Sequence, residues 1–149
     1  MRLPAVIALA LLTAFGPALA SHGIVTVQSG FSVEETADRL EAVLERKGMT
    51  VFNRIDHAAA AGAIGQDLRP TVLIIFGNPK VGTALMQCSQ TAGIDLPLKA
   101  LVWRDADGLV KLSYNHPQFL ADRHGIIACG DVIERMTGAL KAITAEATQ

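Results

Sequence analysis

Two apolar runs, Leu98 to Arg104 (LKALVWR) and Leu109 to Asn115 (LVKLSYN), stand on either side of Asp105-Ala106-Asp107-Gly108. A link this short and this rich in aspartate and glycine is a turn, so the two runs are read as an antiparallel hairpin. The hairpin makes the sheet mixed or antiparallel, and the remaining segments must be arranged around it. Thr71 to Phe76, TVLIIF, is continuously apolar and suits a buried central strand. Ile24 to Gln28 is short and β-branched and reads as a first strand, and Met49 to Ile55 reads as a second.

Two long amphipathic helices accompany the strands. Ser32-Val33-Glu34-Glu35 forms a capping box, the serine hydroxyl accepting from a free backbone N–H at the helix start. Val33, Ala37, Leu40 and Leu44 then repeat at the helical period, and Gly48 stands where a left-handed terminating residue is wanted. The last helix is predicted to open on a second box, Asp131 with Glu134, and to carry Ile133, Met136, Leu140, Ile143 and Ala147 on one face. The segment DHAAAAGAIGQDLRP reads as a short helix and a loop. His116-Pro117 places proline at a first helical position, with Phe119 and Leu120 anchoring a short helix that Gly125 ends. The order is strand, helix, four strands, helix, with short helical insertions. Helices with one apolar stripe and a sheet built on a hairpin give an α+β domain, mainly antiparallel, with the helices packed on one face.

The chain opens MRLPAVIALALLTAFGPALA, with Arg2, an apolar stretch from Leu3 to Phe15, a Gly16-Pro17 break and the small-residue pattern Ala18-Leu19-Ala20. This is the pattern of a cleavable export signal over residues 1–20, and its apolar stretch is short of the ~20 residues a spanning helix needs. Taking those 20 residues from 149 leaves 129, a length suited to a single domain over residues 21–149. The expected location is periplasmic or secreted, with no membrane attachment after cleavage. Without Arg2, 12 Lys and Arg face 14 Asp and Glu, a formal charge of −2. No basic block is present, and nucleic acid, which needs a clustered basic surface, is not an expected partner. Cys88 and Cys129 allow two readings in an oxidising compartment: a disulfide, or two buried thiols packed as small hydrophobes.

Several motifs follow one another in order along the chain: Asp56-His57-Ala58-Ala59-Ala60-Ala61; Phe76-Gly77-Asn78-Pro79 with Gly82-Thr83; Gly93-Ile94-Asp95-Leu96-Pro97-Leu98-Lys99 running into Val102-Trp103; Tyr114-Asn115 before Pro117; and Arg123-His124-Gly125. Together they resemble the bacterial and archaeal family called domain of unknown function family 302, over nearly the whole length after residue 20. The resemblance implies a compact α+β domain of the TATA-binding-protein-like class. It implies no activity and no cofactor. One departure is visible, since the family pattern tends to place Asp between the Asn and the Pro where this chain has His116.

The stretch IFGNPKVGT superficially suggests a phosphate-cradling loop. A Gly-x-x-x-x-Gly-Lys-[Ser/Thr] loop needs its lysine directly after the second glycine, and here Thr83 follows Gly82 while Lys80 lies inside. The stretch is therefore read as a turn leaving a central strand and leading into a short helix, TALMQCSQ, whose N-terminus could hold a smaller anion. His57, after Asp56, is a base or ligand candidate, set against a reading in which Asp56 merely caps a helix. Asn78, Lys80, Thr83, Lys99, Tyr114, Asn115, Arg123 and His124 complete the candidates for ligand contact, and Trp103 is expected in the core. No close His/Cys spacing supports a metal site. The leading expectation is a non-enzymatic module that binds a small ligand or assembles with copies of itself; a periplasmic enzyme, or a redox-active or metal-binding protein, using His57 or Cys88 is the alternative. Convergence of His57, Asn78, Tyr114 and Arg123 in one apolar-walled pocket would favour a site, and dispersal a scaffold.

Overall fold

The computed structural model describes residues 23–149; the proposed export signal over residues 1–20 lies outside them. In chain order the elements are β1 (Ile24–Ser29), α1 (Val33–Arg46), β2 (Thr50–Asp56), α2 (His57–Ala63), β3 (Thr71–Gly77), α3 (Pro79–Cys88), β4 (Leu98–Arg104), β5 (Val110–Asn115), α4 (Pro117–His124) and α5 (Gly130–Thr148). A short 3-10 turn, Gln90–Ile94, follows α3. The strands form one sheet in the order β1-β5-β4-β3-β2, every neighbouring pair antiparallel. This is the expected α+β architecture, with the hairpin β4-β5 near its middle.

Strand alternation decides which side chains meet the helices. Val72 pairs with Val102 and Val102 with Leu112, while Ile74 pairs with Ala100 and Ala100 with Tyr114, so these residues share one face. That face is buried against Leu40 and Leu44 of α1 and Leu140 and Ile143 of α5. The helices form as predicted because both apolar stripes find apolar partners: Val33, Ala37, Leu40 and Leu44, with Leu140, Ile143 and Ala147, meet this face, Ile133 and Met136 join a second cluster around Leu85, and all are buried. Burial of this size stabilises at ~25 cal/mol per Å² of apolar surface. Ser32 caps α1 by accepting from the Glu35 N–H at 3.1 Å, and Gly48 adopts φ +72° beyond its C-terminus, a region that costs a residue with a Cβ.

Three local expectations are corrected. The last helix does not open on the Asp131/Glu134 box: it begins at Gly130, its cap is Cys129, and no side chain bonds the cap. Asp131 instead pairs with Arg135 one turn on, at 3.0 Å. The helix after β3 begins at Pro79 rather than Thr83, because the Asn78 carboxamide accepts from the Lys80 N–H at 3.0 Å and Pro79 supplies a first residue that needs no partner. Trp103 is not in the helix-covered core. It alternates with buried Val102 and so lies half-buried on the opposite face, donating from Nε1 to Ser113 Oγ at 2.9 Å with the Lys111 ammonium 5.4 Å from its ring centre.

Candidate functional site

A half-enclosed cleft of about 610 Å³ lies at the end of the sheet, bounded by α3, by the Leu96-Pro97-Leu98 segment and by α5. Its floor comes from the main core and from a second apolar cluster in which Leu85 of α3 packs with Val132 and Met136 of α5. Pairing of β2 with β3 shifts register between Val51 and Asn53, and this bulge leaves Phe52 as the extra residue, half-exposed and on the cleft wall. Gly77 lies between the Phe52 ring and Pro97; a Cβ there would stand 3.6 Å from each. The lining is otherwise Met49, Met86, Leu98, Ala139 and their neighbours, and its charged members are two cations, Lys80 and Arg135.

The stretch IFGNPKVGT therefore supplies a wall of the cleft, but it does not cradle phosphate. Pro79 has no N–H, that of Lys80 is taken by the Asn78 side chain, and that of Gly82 donates to the Asn78 carbonyl at 2.9 Å. This leaves only the Val81 N–H in the first turn, too few donors for the anion cradle considered for this helix start. Lys80 itself is exposed. Arg135 is paired with Asp131, both side chains being largely exposed, and such a pair holds at most ~1 kcal/mol against a competing anion.

Of the candidates read from the sequence, Asn78, Lys80 and Thr83 line this cleft. His57, Asn78, Tyr114 and Arg123 do not converge. His57 lies exposed in the first turn of α2, where the Asp56 carboxylate accepts from the Ala59 N–H at 2.9 Å and so acts as the cap. Tyr114 is buried in the main core; burial pushes its phenol pKa upward, with the Thr144 hydroxyl acting the other way. Asn115 is exposed at the end of β5, and His116 caps α4 by accepting from the Gln118 N–H at Nδ1, 3.0 Å away. Among the described residues, no three His, Cys, Asp or Glu side chains come together to hold a metal ion.

The remaining candidates build a polar clasp beside the cleft. His124 ends α4, its side chain only 6% exposed, with Nε2 2.6 Å from Asp95 Oδ2 and Nδ1 3.0 Å from Thr91 Oγ1. Arg123 reaches the other Asp95 oxygen at 3.1 Å. Lys99 donates from Nζ to the Asp95 and Pro97 carbonyls at 2.9 and 2.8 Å, and Ser89 donates to the His124 carbonyl at 3.0 Å. Cys88 and Cys129 complete it: their sulfurs lie within bonding distance, their Cα atoms are 6.5 Å apart and they are 41 positions apart in the sequence. The clasp thus binds the segment 88–99 to the segment 123–129. Sequence reasoning named His124, Arg123 and Lys99 but missed Asp95 as their common partner, and it missed Phe52, Pro97 and Arg135 as cleft residues.

An open five-stranded antiparallel sheet with helices on one face and an apolar cleft at its end defines the class. The model of the family described as "Domain of unknown function DUF302" matches residues 25–143, and the chain belongs to that family. A crystal structure of an uncharacterized conserved DUF302 protein from Bacillus stearothermophilus superposes with a TM-score of 0.77, covering 84% of this chain and 98% of that one at 22% identity. Curated relatives carry a different name: this chain is 51% identical over 110 residues to "Fluoride-specific ion channel FluC 1" of Brucella suis biovar 1, covering 74% of this chain and 43% of that protein. FluC 2 of Brucella melitensis biotype 1 is also 51% identical over 110 residues, covering 41% of its length. The chain therefore spans less than half the length of these relatives. No helix among the described residues is long and apolar enough to cross a membrane.

Proposed function

We propose that this protein is an exported binding module whose cleft takes a small apolar ligand ending in an anion. One observation carries the reading: the cleft is lined by apolar side chains, and its charged members, Lys80 and Arg135, are both cations. Its volume, about 610 Å³, falls in the ~300–1,000 Å³ range of small-molecule sites. The apolar wall contributes most of the affinity, and the two cations select the charged end. A carboxylate held there competes with Asp131 for Arg135 and meets Lys80, which pairs with no carboxylate among the described residues, at the rim.

Dodecanoate and dodecanol are suitable probes, having the same chain with and without charge. Saturable binding of dodecanoate is expected in isothermal titration, weaker by about tenfold in Lys80→Ala/Arg135→Ala, with dodecanol binding alike to both proteins. Equal affinity of the parent for the acid and the alcohol sinks the anion selection; no saturable binding of either sinks the cleft reading.

Export rests on the Arg2, apolar stretch and Ala18-Leu19-Ala20 pattern, which place the mature N-terminus at Ser21. N-terminal sequencing of material recovered from the periplasm or medium checks this. A membrane-bound form still beginning at Met1 is the contrary result.

A further inference from the structure

The two walls of the cleft are joined at one place by sulfur. Cys88 is the last residue of α3 and Cys129 is the cap of α5, and these two helices face each other across the cleft. The Cys129 sulfur lies 4.0 Å from the carbonyl of Ala84, itself a lining residue. We propose that the Cys88–Cys129 pair is a redox-set clamp on the cleft: oxidised, it holds the binding form, and reduced by a dithiol protein it loosens the α5 wall and releases ligand. This rests on the reading of the cleft as a ligand site.

Three observations converge on the start of α5. The side chain of the cap residue Cys129 accepts no hydrogen bond from the helix start, so the free N–H groups of the first turn lack the usual Ser, Thr, Asp or Asn acceptor. The backbone there is tied by the Val132 and Ile133 N–H groups donating to the Cys129 carbonyl at 3.1 and 3.2 Å, so the position of Cys129 sets that of the turn. The linker leading into it is packed at Ile126 only: Ile127 is 94% exposed and Ala128 is exposed as well. The covalent link therefore does what a cap does elsewhere. Val132, Arg135 and Met136, all on the cleft wall, follow within two turns. The His124–Asp95 contacts lie on the far side of the same linker and hold α4, so that once the sulfurs part the first turn of α5 is held by the packing of Val132, Ile133 and Met136 alone.

The bond is reachable. Cys88 is exposed and Cys129 half-buried, and the exposed Ile127 side chain offers apolar contact for a partner two residues from the sulfur. In the exchange, one partner thiolate attacks a sulfur of the pair and forms a mixed disulfide, releasing the other cysteine as a thiolate that takes up a proton. The partner's second thiolate then displaces the remaining cysteine. Two electrons and two protons pass to this protein, and the partner leaves as its disulfide.

The test uses 1-anilinonaphthalene-8-sulfonate, an apolar anion, titrated by fluorescence into three forms of the protein: oxidised, reduced and alkylated with iodoacetamide, and Cys88→Ser/Cys129→Ser. Helix content is followed by circular dichroism, and amide hydrogen exchange is measured over residues 130–136. The oxidised form is expected to bind at least about tenfold more tightly than the other two, in the usual range for a coupled equilibrium. Exchange in the first turn of α5 is expected to quicken on reduction while β3 and β4 stay protected. Equal binding by all forms overturns the clamp and leaves the ligand cleft standing. Binding by none of them removes the ligand site, and the clamp then stands or falls on exchange: unchanged protection at 130–136 after reduction overturns it. If the serine variant does not fold, the alkylated parent carries both measurements.

Discussion

At Asp105 a single carboxylate closes the β4-β5 turn. One oxygen accepts from the Asp107 and Leu109 N–H groups at 3.0 and 2.9 Å, and the other meets the Lys111 ammonium at 2.6 Å. The bond from Lys111, followed by the backbone donors, holds this carboxyl below its ordinary pKa, against the opposing effect of desolvation. A depressed folded-state pKa gives stability that is present above the unfolded value and lost as pH falls through the folded one. The unfolding midpoint is therefore expected to stay level from neutral pH to about 5 and to fall below about pH 4, the usual carboxylate range. Glu146, lowered by Lys47 and Arg46, titrates in the same direction. Asp105→Asn should thus lower the midpoint at pH 7 and remove part, not all, of the acid slope in thermal melts at a series of pH values. An acid slope identical to that of the parent would show that Asp105 contributes nothing through its charge. The turn was legible in the sequence as Asp105-Ala106-Asp107-Gly108, but the lysine that holds its aspartate lies one strand later.

At the scale of elements, the sequence spoke clearly wherever a period had to match a partner surface. The stripes of α1 and α5 and the run of β3 each have one face to bury, and each buries it. The readings failed where backbone geometry, rather than composition, set the boundary. Asn78 and Pro79 together start α3 earlier than Gly82 suggested, and Cys129 displaces the Asp131/Glu134 box because the chain enters α5 from a linker tied to α3. The apolar run of β3 also concealed an asymmetry: Val72, Ile74 and Phe76 are buried, whereas Leu73 and Ile75 on the face without helices are half-exposed. Ile74, with no exposed surface, is the sharper probe. Ile74→Ala is expected to cost roughly 2–5 kcal/mol through lost burial and the cavity left behind. Urea unfolding measures it, and a loss under 1 kcal/mol at an unchanged slope would mean that the strand's partners close over the gap.

For the whole molecule, the site was less legible than the fold because its parts come from distant segments. Phe52 enters through a bulge, Pro97 through a loop and Arg135 through the flank of α5, and no local pattern ties 52 to 97 or to 135. His124 and Asp95 are likewise 29 residues apart. The cysteines pose the same difficulty, since spacing alone left a disulfide and two buried thiols equally open, and only the fold brings the sulfurs together. Their bond closes a loop of 41 residues containing both strands of the hairpin. In the chain-entropy description a loop of about that length contributes roughly 4 kcal/mol by restricting the unfolded chain. The native, never-reduced protein is therefore expected to weigh two hydrogens less than its reduced form. Dithiothreitol should lower its thermal midpoint by roughly 10 °C or more, given the few degrees per kcal/mol of a chain this size. Because the effect acts on the unfolded state, it should appear even if the clamp on the cleft is absent, which separates stability from gating. Two alkylatable thiols in the native protein would rule the bond out and leave the start of α5 with neither a cap nor a tether.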